Sequence, residues 1–273
     1  MHSRLVGPIV LVIGVIIGGL AAIPYYGAKR LDADIRQSQE TLVQRNLASW
    51  ITDIEFSLTA WSIWDDSIAR IDNNFDFEWV DRNIGSSLIG TSRTRFVAIL
   101  DASDQIIYSK TSDEVRDRPF FLRPSETIVA AADSLVRRIR TRTPAGDATG
   151  IPEPVSTSRI EVLGNEAVLL TASLFQSDFG TAKPKGRQNP VLITAMPIGN
   201  NLQEFFGNRF LLDDPQVGPL ELLDIDRARA DIAIGEDGKA EVLSWRSPTP
   251  ARDLLHQTIP LIALVSLVLL VGA

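Results

Sequence analysis

Three rhythms of hydrophobic and polar residues divide this chain. From Leu5 to Tyr26 the run LVGPIVLVIGVIIGGLAAIPYY carries no charge and is long enough to cross a hydrocarbon core of about 30 Å as a helix. A second apolar run, IPLIALVSLVLLVGA, extends from Ile259 to Ala273. It approaches a full span when Leu254 and Leu255 form its first turn, and Pro260 kinks its entrance. Between these runs, apolar positions recur with helical or strand periods, as in a water-soluble domain. The pattern predicts transmembrane helix one over 5–26, a soluble domain over 27–250 and transmembrane helix two over 254–273.

The first run follows Arg4 and contains the small residues Ala21 and Ala22, yet it exceeds the apolar stretch of a typical cleavable signal peptide. The second run has no polar flank behind it. A natural chain rarely stops in mid-bilayer, so the expectation is the amino-terminal part of a longer protein with a truncated second span. The lysine and arginine count beside helix one gives no clear orientation, because charges on a large translocated domain weigh little.

From Lys29 to Ile71 there is neither proline nor glycine, which predicts one continuous stalk helix over 29–71, roughly 60 Å long. Its second half bears an apolar stripe at Leu47, Ile51, Ile54, Leu58, Trp61 and Ile68, spaced for one face. Its first half is mostly polar, as in an exposed stalk. The segment FDFEWVDRNIGSSLIGTSRTR reads as a short helix and turn. Then RFVAILD and QIIYSK predict a hairpin about the turn Asp101 to Asp104.

An amphipathic helix is expected from Glu126 to Arg142, followed by a loop from Thr143 to Ser158. RIEVLG, NEAVLLTASLF and VLITAMPI predict three successive antiparallel strands. A short helix over Asn200 to Phe210 and a last hairpin in RADIAIGEDGKAEVLSWR complete the domain. The order gives an α+β fold: a long N-terminal helix packed on an antiparallel PAS/Cache-like sheet, flanked by two transmembrane helices.

Composition narrows the chemistry. The 273 residues include no cysteine, two histidines, 27 basic and 34 acidic side chains, for a net charge of −7. That balance does not suggest nucleic-acid binding. Without cysteine there are no disulfides or thiolate metal sites, and an oxidising compartment such as the periplasm is compatible. His2 and His256 lie at the two membrane edges and form no zinc or acid–base pair. The soluble part offers no G-x-S-x-G turn with a histidine for a catalytic triad. Asp72, Asp76, Glu78 and Asp81 cluster, but lack the glycine and ordered spacing of a calcium loop.

The most informative segment is LTAWSIWDDSIARIDNNFDFEWVDRN with the hairpin that follows. The run W-x-x-W-D-D (Trp61, Trp64, Asp65, Asp66), then Asn74 and Phe75, then Asn83, resembles the class-four CHASE domain, an extracellular sensory module of bacterial and archaeal receptors. The resemblance is strongest from Trp50 to Lys110 and extends to LSWRSPTPARDLL, Leu243 to Leu255, while 111–220 carries no recognised motif. It implies a receptor in the bacterial inner membrane, multi-pass, with its sensor domain periplasmic. It also implies cytoplasmic GGDEF or EAL modules for cyclic-di-GMP, or a histidine kinase, none of which has a motif in this chain.

Several residues carry expectations. Trp61 and Trp64 supply apolar area, and a buried indole N–H needs a partner, for which Asp65 is well placed. A carboxylate on an apolar stripe is costly unless paired, so Asp65 is a structural anchor or a ligand contact. Asp66 faces away and has Arg70 four residues on as an ion-pair partner. Arg95, Phe96 and Tyr108 on the first hairpin are weaker ligand candidates, with sheet packing favoured for Phe96 and Tyr108. Homodimerisation through the Leu47–Ile68 stripe competes with use of that stripe on the chain's own sheet. The partners expected are a small-molecule or protein ligand in the periplasm, the lipid bilayer and a second copy, with no cofactor and no enzymatic activity in this chain. The competing reading is a membrane-tethered binding or assembly protein without signalling.

Overall fold

The structure, a computed structural model, describes residues 3–142, 152–222, 224, 226–234 and 238–272. Within the terminal helices the side chains of 3–18, 20–21, 261–262, 265–267 and 269–272 lie outside the described part. Among the described residues no helix is long and apolar enough to cross a membrane. The two expected spans fall largely on side chains outside that set. So do most of the expected 143–158 loop and the aspartate of the last Asp-Gly turn.

The predicted hairpin forms β1 (Phe96–Leu100) and β2 (Ile106–Thr111). The three predicted strands form β3 (Ser156–Leu163), β4 (Glu166–Leu174) and β5 (Val191–Pro197). They make one antiparallel sheet in the order β2-β1-β5-β4-β3, with β5 joining the two groups through its pairing with β1 and β4. A second antiparallel sheet, β6-β8-β7, contains the predicted hairpin β7 (Ala228–Ile234) and β8 (Ala240–Arg246). Its third strand, β6 (Asp213–Pro219), lies in the sequence DDPQVGP, which has no strand-like alternation.

Strand alternation sends the large sheet's side chains to two cores. Phe96, Ala98 and Leu100 of β1 join Leu170, Ala172 and Ile193 under the amphipathic helix Ala130–Arg140, which contributes Ala132, Leu135, Val136 and Ile139. Val97, Ile99 and Leu192 point to the other side, where the helical segment 58–91 covers them with Leu58, Ile68, Ile84 and Leu88. On the same side, nearer β3 and β4, the first helix and the helix Gly199–Phe210 pack with the small sheet around Leu169, Met196, Phe206, Leu243 and Trp245.

The first helix runs from Ser3 to Ser57, not to residue 71. A short turn, Thr59–Ser62, follows. Ile63 then leaves helical geometry and pairs with Gln176 in a parallel bridge. Trp64 is extended, and helical structure resumes at Asp65 and continues to Asn73. The break exchanges helical hydrogen bonds for two to Gln176: its N–H donates to the Ser62 carbonyl (2.7 Å), and its carbonyl accepts from Trp64 N–H (2.9 Å). Ser62 and Ser67 hydroxyls donate to the Leu58 and Trp61 carbonyls, so serines satisfy backbone groups at the bend.

One face of the polar half of the first helix packs on the small sheet. Arg36, Glu40 and Gln44, one turn apart, meet the free edge of β7 and the residue before it. Arg36 donates to the Arg227 carbonyl, Glu40 accepts from Arg229 N–H (3.2 Å), and Gln44 donates to the Asp231 carbonyl (3.2 Å). Four helical residues advance about 6 Å and two strand residues about 6.8 Å, so the two spacings match closely enough for three successive contacts. Polar residues are needed here because they cover an unpaired sheet edge. Gln39 also accepts from the indole N–H of fully buried Trp245 (3.2 Å).

The last helix, Pro250–Gly272, packs beside the first. Its amino terminus is capped from across that contact: the buried Asp32 carboxylate accepts from Ala251 N–H (3.0 Å) and Arg252 N–H (3.1 Å). An anionic acceptor satisfies two backbone donors that have no partner within the helix.

Candidate functional site

The W-x-x-W-D-D segment lies at the bend after the first helix, and its side chains part company there. Asp65 turns inward and is 9% exposed. Its carboxylate accepts from the hydroxyl of Ser177 and from the hydroxyl and N–H of Thr181, the latter at 3.0 Å. Burial raises its pKa, but hydrogen bonds from Ser177, Thr181 and Ala182 outweigh burial and lower it from 3.8 to about 2. The backbone N–H of Asp65 donates to Asp178 (2.9 Å), and Asp72 accepts from the N–H of Lys185. The loop between β4 and β5 is thereby stitched to the bend.

Trp61 packs against the core beneath the helical segment, and its indole N–H donates to Ser87 Oγ (3.1 Å) rather than to Asp65. Trp64 stacks obliquely on Trp79, with ring centroids 5.0 Å apart. Asp66 is exposed, and the expected Asp66–Arg70 pair gives way to Arg70–Asp76 (3.3 Å). Restarting the helix at Asp65 places Asp66 in a first turn, where its charge favours the helix dipole. Asn74 is exposed and ends the helical turn Ile68–Asn73, donating its N–H to the Ala69 carbonyl. These residues therefore form a joint and not one ligand shell.

Tyr108 and Arg95 are separated by the sheet's pleat and ends. Buried Tyr108 donates its hydroxyl to Asp81 (2.7 Å), which also accepts from Lys110 (2.9 Å) and Ser86. Lys110 and then Tyr108 lower the Asp81 carboxyl, while burial first and Asp81 second raise the Tyr108 hydroxyl. Gly85 is required beneath that hydroxyl, because a Cβ there would lie 1.8 Å from it. Phe96 points into the opposite core. Arg95 pairs with Glu114 (2.8 Å) in a polar cleft of about 500 Å³, beside Arg93 and Arg118. Arg118 there pairs with Glu166.

The acidic residues near the bend each hold a different partner. Asp76 accepts from Trp79 N–H (3.1 Å), Asp72 holds Lys185 and Asp81 holds Tyr108 and Lys110. Among the described residues, no group of His, Cys, Asp and Glu is arranged to hold a metal. The arginine run closing the amphipathic helix also makes tertiary contacts, since nearly buried Arg140 pairs with Asp104 (2.7 Å) and donates to the Asp101 carbonyl (2.8 Å). Sequence reasoning missed Asp32 and the ladder at 36, 40 and 44. Their signal was a turn-by-turn repeat of hydrogen-bonding side chains, which looks like an ordinary solvated helix face until the strand is in place.

The stripe predicted for dimerisation is used internally. Leu47 is buried and Ile51 and Ile54 pack against the core shared with the small sheet; Leu58 and Ile68 are buried under the helical segment.

No curated protein matches the chain significantly. A family model does: the CHASE4 domain model matches residues 46–213, which include all five strands of the large sheet. The match spans 111–213, where the sequence offered no recognised motif, and stops before Leu243–Leu255. The chain belongs to the CHASE4 family, the sensory domains of signalling receptors.

Proposed function

We propose that this chain is the periplasmic sensing part of an inner-membrane receptor, controlling a cytoplasmic diguanylate cyclase or phosphodiesterase, or a histidine kinase. The observation that carries the reading is the Asp32 cap. It joins the helix entering the domain to the helix leaving it, so a rearrangement of the domain acts on both together. The uncharged run Leu5–Tyr26 and the apolar run from Ile259 support two spans that continue these helices. Signalling requires a ligand that binds two arrangements of the domain with different affinity.

A second copy fits the opposite side of the first helix from the buried stripe. Leu31, Ile35, Ser38, Leu42, Ser49 and Phe56 follow three- and four-residue spacing, and Leu31, Leu42 and Phe56 are exposed. This face replaces Leu47–Ile68 as the dimer seam. Because these 273 residues include no cysteine, Ser49→Cys gives a clean test: oxidised membranes should contain a cross-linked dimer, whereas Ala48→Cys, exposed but about 100° round the helix, should give far less. Equal cross-linking at both positions would remove this seam.

The sensing reading is tested in cells making the full-length receptor. Asp32→Ala should shift basal cyclic-di-GMP or kinase phosphorylation without reducing receptor abundance. Output unchanged by Asp32→Ala would sink the proposed coupling.

A further inference from the structure

The two faces of the large sheet are filled by apolar side chains, so the usual space beneath a sheet is closed. An open pocket of about 340 Å³ remains where the end of the first helix, the entry to β1 and the helix Gly199–Phe210 meet. Trp50, Ile54, Phe205 and Met196 of β5 give its lining an apolar surface, on which the Trp50 and Phe205 rings touch. The Trp50 and Phe205 rings stand 6.2 Å apart. At the pocket rim Arg93 donates to Asn201 (2.7 Å) and to Glu204 (3.1 Å). A mostly apolar pocket with one well-placed charged group is the usual form of a small-molecule site, and this volume is at the small end of that class.

We infer that this pocket binds a small aryl or alkyl carboxylate, its apolar part against the joined surface of Trp50, Phe205 and Met196 and its carboxylate on Arg93. The Arg93–Glu204 pair is suited to such an exchange. Both side chains are more than half exposed, 54% and 60%, so their attraction is screened and weak. Arg93 now gives one N–H to Glu204 and one to Asn201, so a ligand carboxylate that displaces both gains the planar two-point recognition that guanidinium favours. Affinity then comes from the apolar part leaving water. The adjoining cleft, which Arg93 also lines, has mostly polar walls and offers no apolar surface for the rest of such a ligand.

The position gives the site a route to the rest of the molecule. Ser57 and Leu58 also line the pocket, and they are where the first helix ends and the bend begins. A bound molecule therefore touches the helix at its joint. This inference deepens the sensing reading and rests on it for its biological use, but its test does not depend on output.

The test is calorimetry on the full chain in lipid nanodiscs, using phenylacetate, the neutral phenethyl alcohol and inorganic phosphate. Phenylacetate should bind saturably, and phenethyl alcohol and phosphate should each bind at least about tenfold more weakly. Arg93→Gln should cost phenylacetate roughly tenfold, while Glu204→Gln should tighten it a few-fold by freeing Arg93. A gain in the second variant cannot arise from misfolding. No saturable phenylacetate binding, equal binding of the alcohol, or unchanged affinity in Arg93→Gln would each overturn the site. Binding without any change in receptor output would leave the pocket standing and remove the sensing role instead.

Discussion

The two sheets of this domain are fastened by different physics. The five-stranded sheet is enclosed on both faces by aliphatic and aromatic side chains, a non-directional attraction that tolerates small changes of position. The three-stranded sheet shares an apolar core on one side, yet its edge is fixed to the first helix by hydrogen bonds from Arg36, Glu40 and Gln44. Hydrogen bonds lose most of their value within a fraction of an ångström or a few tens of degrees. The larger sheet therefore supplies stability, and the smaller one supplies alignment with the first and last helices.

The largest test of this contrast removes apolar volume from the large sheet's surroundings. Phe175 is fully buried, and Phe175→Ala should cost about 3–5 kcal/mol, lowering the melting temperature by roughly 10 °C. A loss below about 1 kcal/mol would mean that the cover is not what stabilises the sheet.

A smaller effect distinguishes the polar anchor at the bend. Asp65 has a folded pKa below its usual 3.8, so its stabilisation is fully present above that value and is lost as pH falls toward about 2. The shift corresponds to about 2 kcal/mol at neutral pH. In urea titrations Asp65→Asn should be less stable by that order at pH 7, with the gap closing toward pH 2. A gap independent of pH would transfer the effect from the carboxylate's charge to local packing.

The smallest effect belongs to the small sheet's side. Asp32→Ala should cost about 1 kcal/mol, the worth of a helix cap, and the loss should be local. Hydrogen exchange should accelerate at the Ala251 and Arg252 amides and stay unchanged in β1 and β5. Uniform acceleration would show that the two sheets do not behave as separate parts.

Sequence pattern was most informative where one physical rule dominated. The continuous apolar runs in RFVAILD and NEAVLLTASLF gave β1 and β4 because both faces of each strand are buried. The pattern was silent for β6, whose DDPQVGP is held by its neighbour β8. The continuous helix failed at Leu58–Trp64 without proline or glycine. There the run of Ser57, Thr59, Ser62 and Ser67 was the available signal, since hydroxyls satisfy backbone groups that a helix would otherwise use. Asp65 was legible as an anomaly, but its partners Ser177 and Thr181 lie more than a hundred residues away and depend on the loop's path.

The contacts along β7 read, in order, as donor, acceptor, donor: Arg36 and Gln44 offer hydrogen to carbonyls, and Glu40 receives it from an amide. This works as a keyed rack. Sliding the helix by one turn would set the Glu40 carboxylate against a carbonyl oxygen, two lone pairs facing each other, while Gln44, whose amide both donates and accepts, would adapt. Travel by single turns is thus opposed, which favours movement of the near half of the first helix, the small sheet and the capped last helix as one piece. Whatever play the molecule has is left to the hinge at Leu58–Trp64.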